Sequence, residues 1–323
     1  MQVIYVKNVC EALPRGIDFL RTTGERHESR NGPVLVAPYP VTTVYERPQE
    51  RVLFASARDA NPFFHLAEAI WMLRGQNDSK PLDYFVHDFG MRYAEPDGHL
   101  HGAYGYRWRH HWGFDQLHSI VHRLKTDPDD RRAVIAMWDS AADLYCPDQP
   151  TPRDLPCNTH IYFRVRDGKL DMTICCRSND IIWGAYGANA VHFSILQEYL
   201  ATHAGYGIGR MFQVSNNYHA YESEINKLEK RGGYADMLCT LYDDRYNRIT
   251  PQPLVDVPKA FDDELMGMSH YDEPFLKKTF LPMMAGWDLW KNGHDPIEML
   301  LDIESEDWKE ACIEWIVRRK KAN

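Results

Sequence analysis

The chain has 323 residues, enough for one large domain or two small ones with an ample core. A hydrophobic share of 44%, a charged share of 26% and a formal charge of −9 argue against a general nucleic-acid binder, which carries a basic face. No run of eighteen apolar residues offers a membrane span, no leader-like segment opens the chain, and seven cysteines without a CxxC pair fit reduced thiols in a cytoplasm.

In chain order, residues 3–5 read as a short strand and 11–23 as a helix. A polar stretch broken by glycine, residues 24–32, leads into an apolar run at 33–37. Residues 61–74 give the clearest helix. Asn61-Pro62 is a start signal, since proline fits the first helical position, and Phe63, Phe64, Ala67, Ile70 and Trp71 recur at helical spacing. Glu68 falls on that apolar face, so it is either buried with a partner or turned into a cavity. Residues 133–138 read as a buried strand. Residues 160–166 and 169–177 alternate about Asp167-Gly168, a dipeptide suited to a type I′ hairpin. Leu170, Met172, Ile174 and Cys176 then share one face, and Asp171, Thr173, Cys175 and Arg177 the other. Cys175 and Cys176 read as packing residues. A long core helix is expected at 188–203 and a short strand at 211–216. Beyond Tyr221 the chain is helical and rich in tryptophan. With no repeat and no low-complexity linker, the expectation is a single α+β domain over residues 1–323, with a divergent helical part from about 222.

The chemistry gathers in Asp154-Leu155-Pro156-Cys157-Asn158, followed twenty residues later by Arg177-Ser178-Asn179-Asp180, then Gly184 and Asn189. A cysteine alone is more often inert filling. Cys157, though, follows a proline just ahead of a strand, where a side chain can face a cleft. The thiolate is the reactive form, and a nearby guanidinium such as that of Arg177 favours it. A carboxylate and an amide close by can read a heterocycle. His110-His111, the only adjacent histidines, precede Trp112 and read as a surface loop, so no metal centre is expected. No oxyanion-type glycine turn surrounds Cys157, which argues against a Cys-His hydrolase.

Pro156-Cys157, then Arg177-Ser178-x-Asp180 and Gly184, resembles the active site of the thymidylate synthase family. Other stretches fall in the family's order: Ser29-Arg30-Asn31-Gly32 resembles its phosphate loop, and His65 through Trp71 its catalytic-glutamate helix. The segment from Gly98 to Tyr104 and Gly105 is similar to its glycine-tyrosine loop, Asp130-Arg131-Arg132 to its double-arginine segment, and His219-Ala220-Tyr221 to its sugar-binding motif. The resemblance spans about six-tenths of the chain. It implies a mixed β-sheet packed with helices, a pyrimidine mononucleotide substrate, 5,10-methylenetetrahydrofolate as co-substrate, and a homodimer in which Arg131 and Arg132 serve the neighbouring subunit's site. By the same resemblance Cys157 adds to C6 of the ring. Arg30, Arg177 and Ser178 bind the 5′-phosphate, Asn189 reads the base, and His219 and Tyr221 hold the sugar. Glu68 and Tyr104 move protons, Asp180 contacts the pterin and orients the base, Gly184 lines the cofactor side, and Arg58 reaches the folate tail unless it is a plain surface arginine.

The departures bear on the reaction. The synthases carry a tryptophan before the glycine-tyrosine loop, where this chain has Phe89-Gly90-Met91. Losing that ring admits water to the exocyclic methylene intermediate, so hydroxymethyl replaces methyl. Asn158 stands where the synthases have histidine. Arg318-Arg319-Lys320-Lys321-Ala322-Asn323 is not their short apolar tail. Asn189 lies one residue beyond the synthase spacing, and an amide can serve uracil or cytosine. The run at 183–193 looks most like the cytidylate hydroxymethylases, so the expectation is deoxycytidylate 5-hydroxymethylation, with deoxyuridylate hydroxymethylation or thymidylate synthesis as the alternative.

Overall fold

The computed structural model describes residues 1–29, 31–144, 151–233, 237–267 and 272–322. Eight strands form one mixed sheet: β1 (Gln2–Val6), β2 (Glu25–Ser29), β3 (Gly32–Val36), β4 (Val41–Tyr45), β5 (Val134–Ala136), β6 (Asn158–Arg166), β7 (Lys169–Asp180) and β8 (Gly207–Tyr221). The order is β1-β4-β8-β7-β6-β5, with β3 paired to the end of β8 and β2 to β3. The pairs β1/β4 and β7/β8 are parallel and the others antiparallel. This is the α+β architecture expected, a mixed sheet with helices packed on it.

Register explains what the sheet does for the cleft. Asp167 and Gly168 both take left-handed φ values, 49° and 69°, as the type I′ turn requires, and this sets β6 against β7. Asn158 then lies opposite Cys176, and the Arg177 amide donates to the Cys157 carbonyl at 2.8 Å. On the other side of β7, Asp180 is the ladder neighbour of His219. The nucleophile candidate, the arginine motif and the sugar motif therefore meet at one end of the adjacent inner strands β6, β7 and β8. The opposite face of β7 is core: Leu170, Met172, Ile174 and Cys176 are all buried, while Asp171, Thr173, Cys175 and Arg177 are half-buried.

Strand β4 and the helix Gln116–Thr126 go beyond what the sequence reading predicts, and two further departures bear on the site. The polar stretch at 24–32 holds the exposed strand β2, which pairs through backbone groups that polarity does not reveal. Strand β8 runs fifteen residues rather than six, and its extension past Asn216 is the part that carries His219 and Tyr221.

The helix Pro62–Leu73 begins as expected, with the Asn61 side chain accepting from the Phe64 amide at 3.2 Å. Phe63, Leu66, Ala69 and Ile70 are buried, whereas Phe64, Ala67 and Glu68 are half-buried and form the stripe left for the cleft. Behind the helix, Phe63 meets Trp287 and Trp315 at ring-centroid distances of 5.3 and 5.8 Å. One hydrophobic cluster extends from Ile4 to Ile316, so the tryptophan-rich C-terminal helices share the core of the sheet.

Candidate active site

Cys157 is half-buried at the entrance to β6. Arg177 reaches back over it from β7. Its Nε donates to the Pro156 carbonyl at 2.9 Å and its Nη2 to the Leu155 carbonyl at 3.2 Å, with Nη2 3.8 Å from Cys157 Sγ. A guanidinium so placed stabilises a thiolate and fixes the loop that carries it. Among the described residues Nη1 has no hydrogen-bond partner, so one edge of the guanidinium stays open to an anion. Ser178 follows it on β7, half-buried.

Tyr104 supports the same loop from the other side. Its hydroxyl oxygen accepts from the Cys157 amide (3.1 Å), the Asn158 amide (3.1 Å) and the Asn158 side-chain nitrogen (2.9 Å). Asn158, a departure from the family pattern, is fully buried and anchors the turn. Burial, then the negative charge available to Cys157 and Cys176, pushes the Tyr104 phenol far above its usual range, so it keeps its proton. Gly105 lets this segment pack on the helix Pro62–Leu73, because a Cβ there would overlap the Met72 backbone.

Glu68 faces His192, with Oε2 3.2 Å from Nε2 but not aligned as a hydrogen bond. His192 was not singled out from sequence. The available signal was its place three residues after Asn189, on the same face of the helix Asn189–Ala204. His65 stands behind His192 at 6.3 Å between ring centroids. Burial, then the charges of Arg58 and His192, hold its imidazole well below the ordinary histidine range, so it is neutral.

Asp180 ends β7. Its Oδ1 caps the next turn, accepting from the Ile182 and Trp183 amides at 2.7 and 3.0 Å, while Oδ2 is buried without a partner among the described residues. Burial raises the carboxyl above the usual range, and the two amides, His219 and Arg58 draw it back. The residue counted as extra before Asn189 has a structural home. Residues Ile181–Ala188 form a π-helical segment, which winds an additional residue into the turn, and Gly187 carries the break at φ −110° and ψ −110°. The segment delivers Asn189 to Asn179, whose Oδ1 accepts from Asn189 Nδ2 at 3.3 Å and whose Nδ2 donates to Ser215 Oγ at 2.9 Å. Gly184 closes this cluster, for a Cβ there would lie 3.0 Å from Asn179 Oδ1. Asn179 is thus a second residue the sequence reading passed over.

His219 and Tyr221 stand perpendicular at 5.7 Å, and the Asn31 side chain donates to the Tyr221 hydroxyl at 3.3 Å, which brings the expected phosphate loop beside the sugar motif. Arg30 itself lies outside the described residues. Among the described residues buried His219 Nδ1 has no partner.

One expectation is corrected. Arg58 is not a surface arginine. It is buried, its Nε donates to the Ile182 carbonyl at 2.7 Å, and its guanidinium lies 4.3 Å from the Trp183 ring centroid. Desolvation lowers its pKa to about 10 against the raising charges of Asp180, Asp59 and Glu224, and its visible work is to hold the π-helical turn. The basic tail does not stand apart, since Arg318 and Arg319 both pair with Asp59. Arg131 and Arg132 are exposed, with Arg132 bound to Asp130 at 2.9 Å. They precede Val134, which faces Tyr162 on β6, so they sit roughly 20 Å along the strand from their own chain's Cys157.

The thymidylate synthase family profile matches residues 19–232. The chain is 45% identical to a deoxyuridylate hydroxymethyltransferase of Pseudomonas phage M6, over all of this chain and 95% of that protein. It is 33% identical to the enzyme of that name from Bacillus phage SP01, over 56% of this chain and 49% of the phage protein. A third, from Delftia phage PhiW-14, is 29% identical over 69% of this chain and 64% of its own length. These relatives carry the deoxyuridylate name and not the cytidylate one anticipated from residues 183–193. On the extent of the profile match and of the full-length likeness, this chain belongs to the thymidylate synthase family.

Proposed function

We propose that the chain is a deoxyuridylate 5-hydroxymethylase, which moves the one-carbon unit of 5,10-methylenetetrahydrofolate to C5 of dUMP and completes the transfer with water. The chemistry rests on one observation, the Arg177 Nη2 atom 3.8 Å from Cys157 Sγ with both residues half-buried. The choice of uracil over cytosine rests on the names of the phage relatives. An asparagine suits it, because the Asn189 amide offers a donor to O4 and an acceptor to N3–H.

In this reading the Cys157 thiolate adds to C6 and makes C5 nucleophilic toward the folate-borne methylene. The open edge of Arg177, with Ser178, Arg30 and the partner subunit's Arg131 and Arg132, holds the 5′-phosphate. That shared pair makes the working unit a homodimer. His219 and Tyr221 hold the sugar. Asp180 Oδ2 lacks a partner in a buried setting, at a cost of about 1–3 kcal/mol, which a donor on the ligand relieves. Gly184 and Trp183, an exposed ring beside Asp180, line the folate side, and Arg58 contributes by bracing them. Glu68 and Tyr104 handle protons at C5 and O4. Where a synthase tryptophan is expected this chain has Gly90, packed against Ser79 and Asp83, and the absence of that ring supports water as the group that completes the transfer.

The test is to supply dUMP or dCMP with methylenetetrahydrofolate, to identify the nucleotide product by mass spectrometry and to follow dihydrofolate absorbance. Hydroxymethyl-dUMP without dihydrofolate is expected. Dihydrofolate with thymidylate would make it a synthase, and product from dCMP alone would restore the cytidylate expectation. No product and no release of tritium from C5 of either nucleotide would refute the enzymatic reading.

A further inference from the structure

Asp154 opens the pentapeptide that carries Cys157, yet none of the roles above uses it. Several buried carboxylates elsewhere in the protein are well matched, although Asp180 and Glu264 each keep one buried oxygen without a partner among the described residues. Asp143 faces Arg107, Glu198 faces Arg51 and Glu50 faces Arg248, while Asp307 takes three hydrogen bonds. Among the described residues Asp154 has one hydrogen bond, from the Gly102 amide to Oδ2 at 3.2 Å, and no ion pair. Its nearest sources of positive charge are already committed. All the donors of Arg107 go to Asp143, the His101 carbonyl and the Met137 carbonyl, and His101 Nε2 is bonded to Asp143 at 2.7 Å.

The position of the carboxyl is fixed by two loops in backbone contact. A Cβ on Gly102 would lie 2.9 Å from the Pro156 nitrogen and 3.0 Å from Asp154 Oδ2, and two residues further along Tyr104 takes the Cys157 amide. Asp154 is thereby held on the seam that carries both the nucleophile and the phenol. Burial is the main cause that raises its carboxyl above the usual range, with Gly102, His101 and Arg107 opposing and the charge of Glu68 adding to it. It also raises the Tyr104 phenol, so Asp154 lies within electrostatic reach of both Glu68 and Tyr104. A half-buried carboxylate with one amide donor and no ion pair among the described residues, three positions before the nucleophile, is placed for function.

We propose that Asp154 is a catalytic base of the hydration step, taking the proton of the water that adds to the exocyclic methylene. This rests on the hydroxymethylase reading. Once tetrahydrofolate has departed, the ring carries C5=CH2 conjugated with C4=O and remains bound to Cys157 through C6. Water oxygen bonds to the methylene carbon, its proton passes to the Asp154 carboxylate, and the electron pair moves onto the C4 oxygen as an enolate. The enolate then re-forms C4=O and C5=C6 as the C6–S bond breaks, which returns the Cys157 thiolate. Asp154 sheds its proton to solvent, and neither an oxidant nor a reductant is needed.

The step can be isolated because loss of the C5 proton precedes it. With C5-tritiated dUMP and methylenetetrahydrofolate, Asp154→Asn should release one tritium per site in a burst at the wild-type rate. Hydroxymethyl product should then form about 100-fold more slowly. Added 2-mercaptoethanol should intercept the stalled methylene as a thioether and restore turnover, and formate should partly rescue product in Asp154→Ser. A burst slowed as much as the product, in variants that still bind dUMP, would mean that Asp154 only shapes the loop and would overturn the proposal. So would undiminished hydroxymethyl product. If the wild-type enzyme itself makes no hydroxymethyl nucleotide, the hydroxymethylase reading fails first, which separates the two failures.

Discussion

The triple use of the Tyr104 hydroxyl sets up a sharp test of how the nucleophile loop is held. Tyr104→Phe keeps the ring, including its contact with Phe193 at 5.8 Å, and removes only the oxygen. Three donors lose their acceptor: the Cys157 amide, the Asn158 amide and the Asn158 side-chain nitrogen. Cys157 is half-buried, so water can reach its amide, whereas Asn158 is fully buried and its two donors stay bare. A buried donor left unpaired costs about 1–3 kcal/mol. One oxygen cannot serve three donors at full strength, so the sum is about 2–4 kcal/mol. For a chain of this size that lowers the melting temperature by about 3–6 °C. Because the loss falls on the loop that aims the thiol, C5 tritium release should drop by about 100-fold with little change in dUMP affinity. Calorimetric melting and tritium release measured on one preparation check both numbers. A melting temperature within about 1 °C of wild type would refute the argument, since it would mean the oxygen supports nothing that solvent cannot.

Cys157→Ala should abolish turnover and keep nucleotide binding. Mixed after partial denaturation with the inactive double variant Arg131→Glu/Arg132→Glu, it should recover about a quarter of wild-type activity, because each heterodimer holds one site with an intact cysteine and intact partner arginines; no recovery would assign those arginines to their own chain. The sign for His65 follows from its depressed pKa. The unfolded chain takes up a proton below pH about 6.5 that the folded chain refuses, so His65 supports the fold above that pH and stability is lost as pH falls further. The slope is about 1.4 kcal/mol per pH unit until the folded pKa is reached. His65→Gln should remove this component, seen as a smaller loss of denaturation midpoint between pH 7 and pH 5, and an unchanged pH dependence would show that the buried imidazole is not the cause.

What could be read from the sequence was chemistry with a local signature. The Asp167-Gly168 hairpin and the Asn61-Pro62 helix start rest on backbone rules that act over a few residues, and both appear where expected. The order of the Cys157, Arg177, Asp180 and His219 motifs could be read for the same reason, and the β6–β7–β8 ladder turns that order into proximity. Hidden from sequence were partnerships made across the fold. Arg58 looked exposed because arginines usually are, yet the carbonyl that binds it lies 124 residues away in a π-helical turn. His192 and Asn179 carry no motif of their own. Each matters through one polar atom facing Glu68 or Asn189, and only the packed helix Asn189–Ala204 supplies that relation.

The C-terminal third shows why composition alone could not assign it a task. Its tryptophans read as generic core, and core is what they are, but the surface they pack on is specific. Trp287 and Trp315 lie against Phe63, on the buried side of the helix whose other side presents Glu68, and Arg318 and Arg319 pin Asp59 just before that helix begins. In the proposed function Glu68 relays protons, which requires that it hold its place to within a fraction of an ångström, and a helix packed on one side alone offers little resistance to sliding. The aromatic stack supplies that resistance from behind while leaving the cleft side open. A segment without catalytic motifs can in this way fix the geometry of the motifs that lie 200 residues before it.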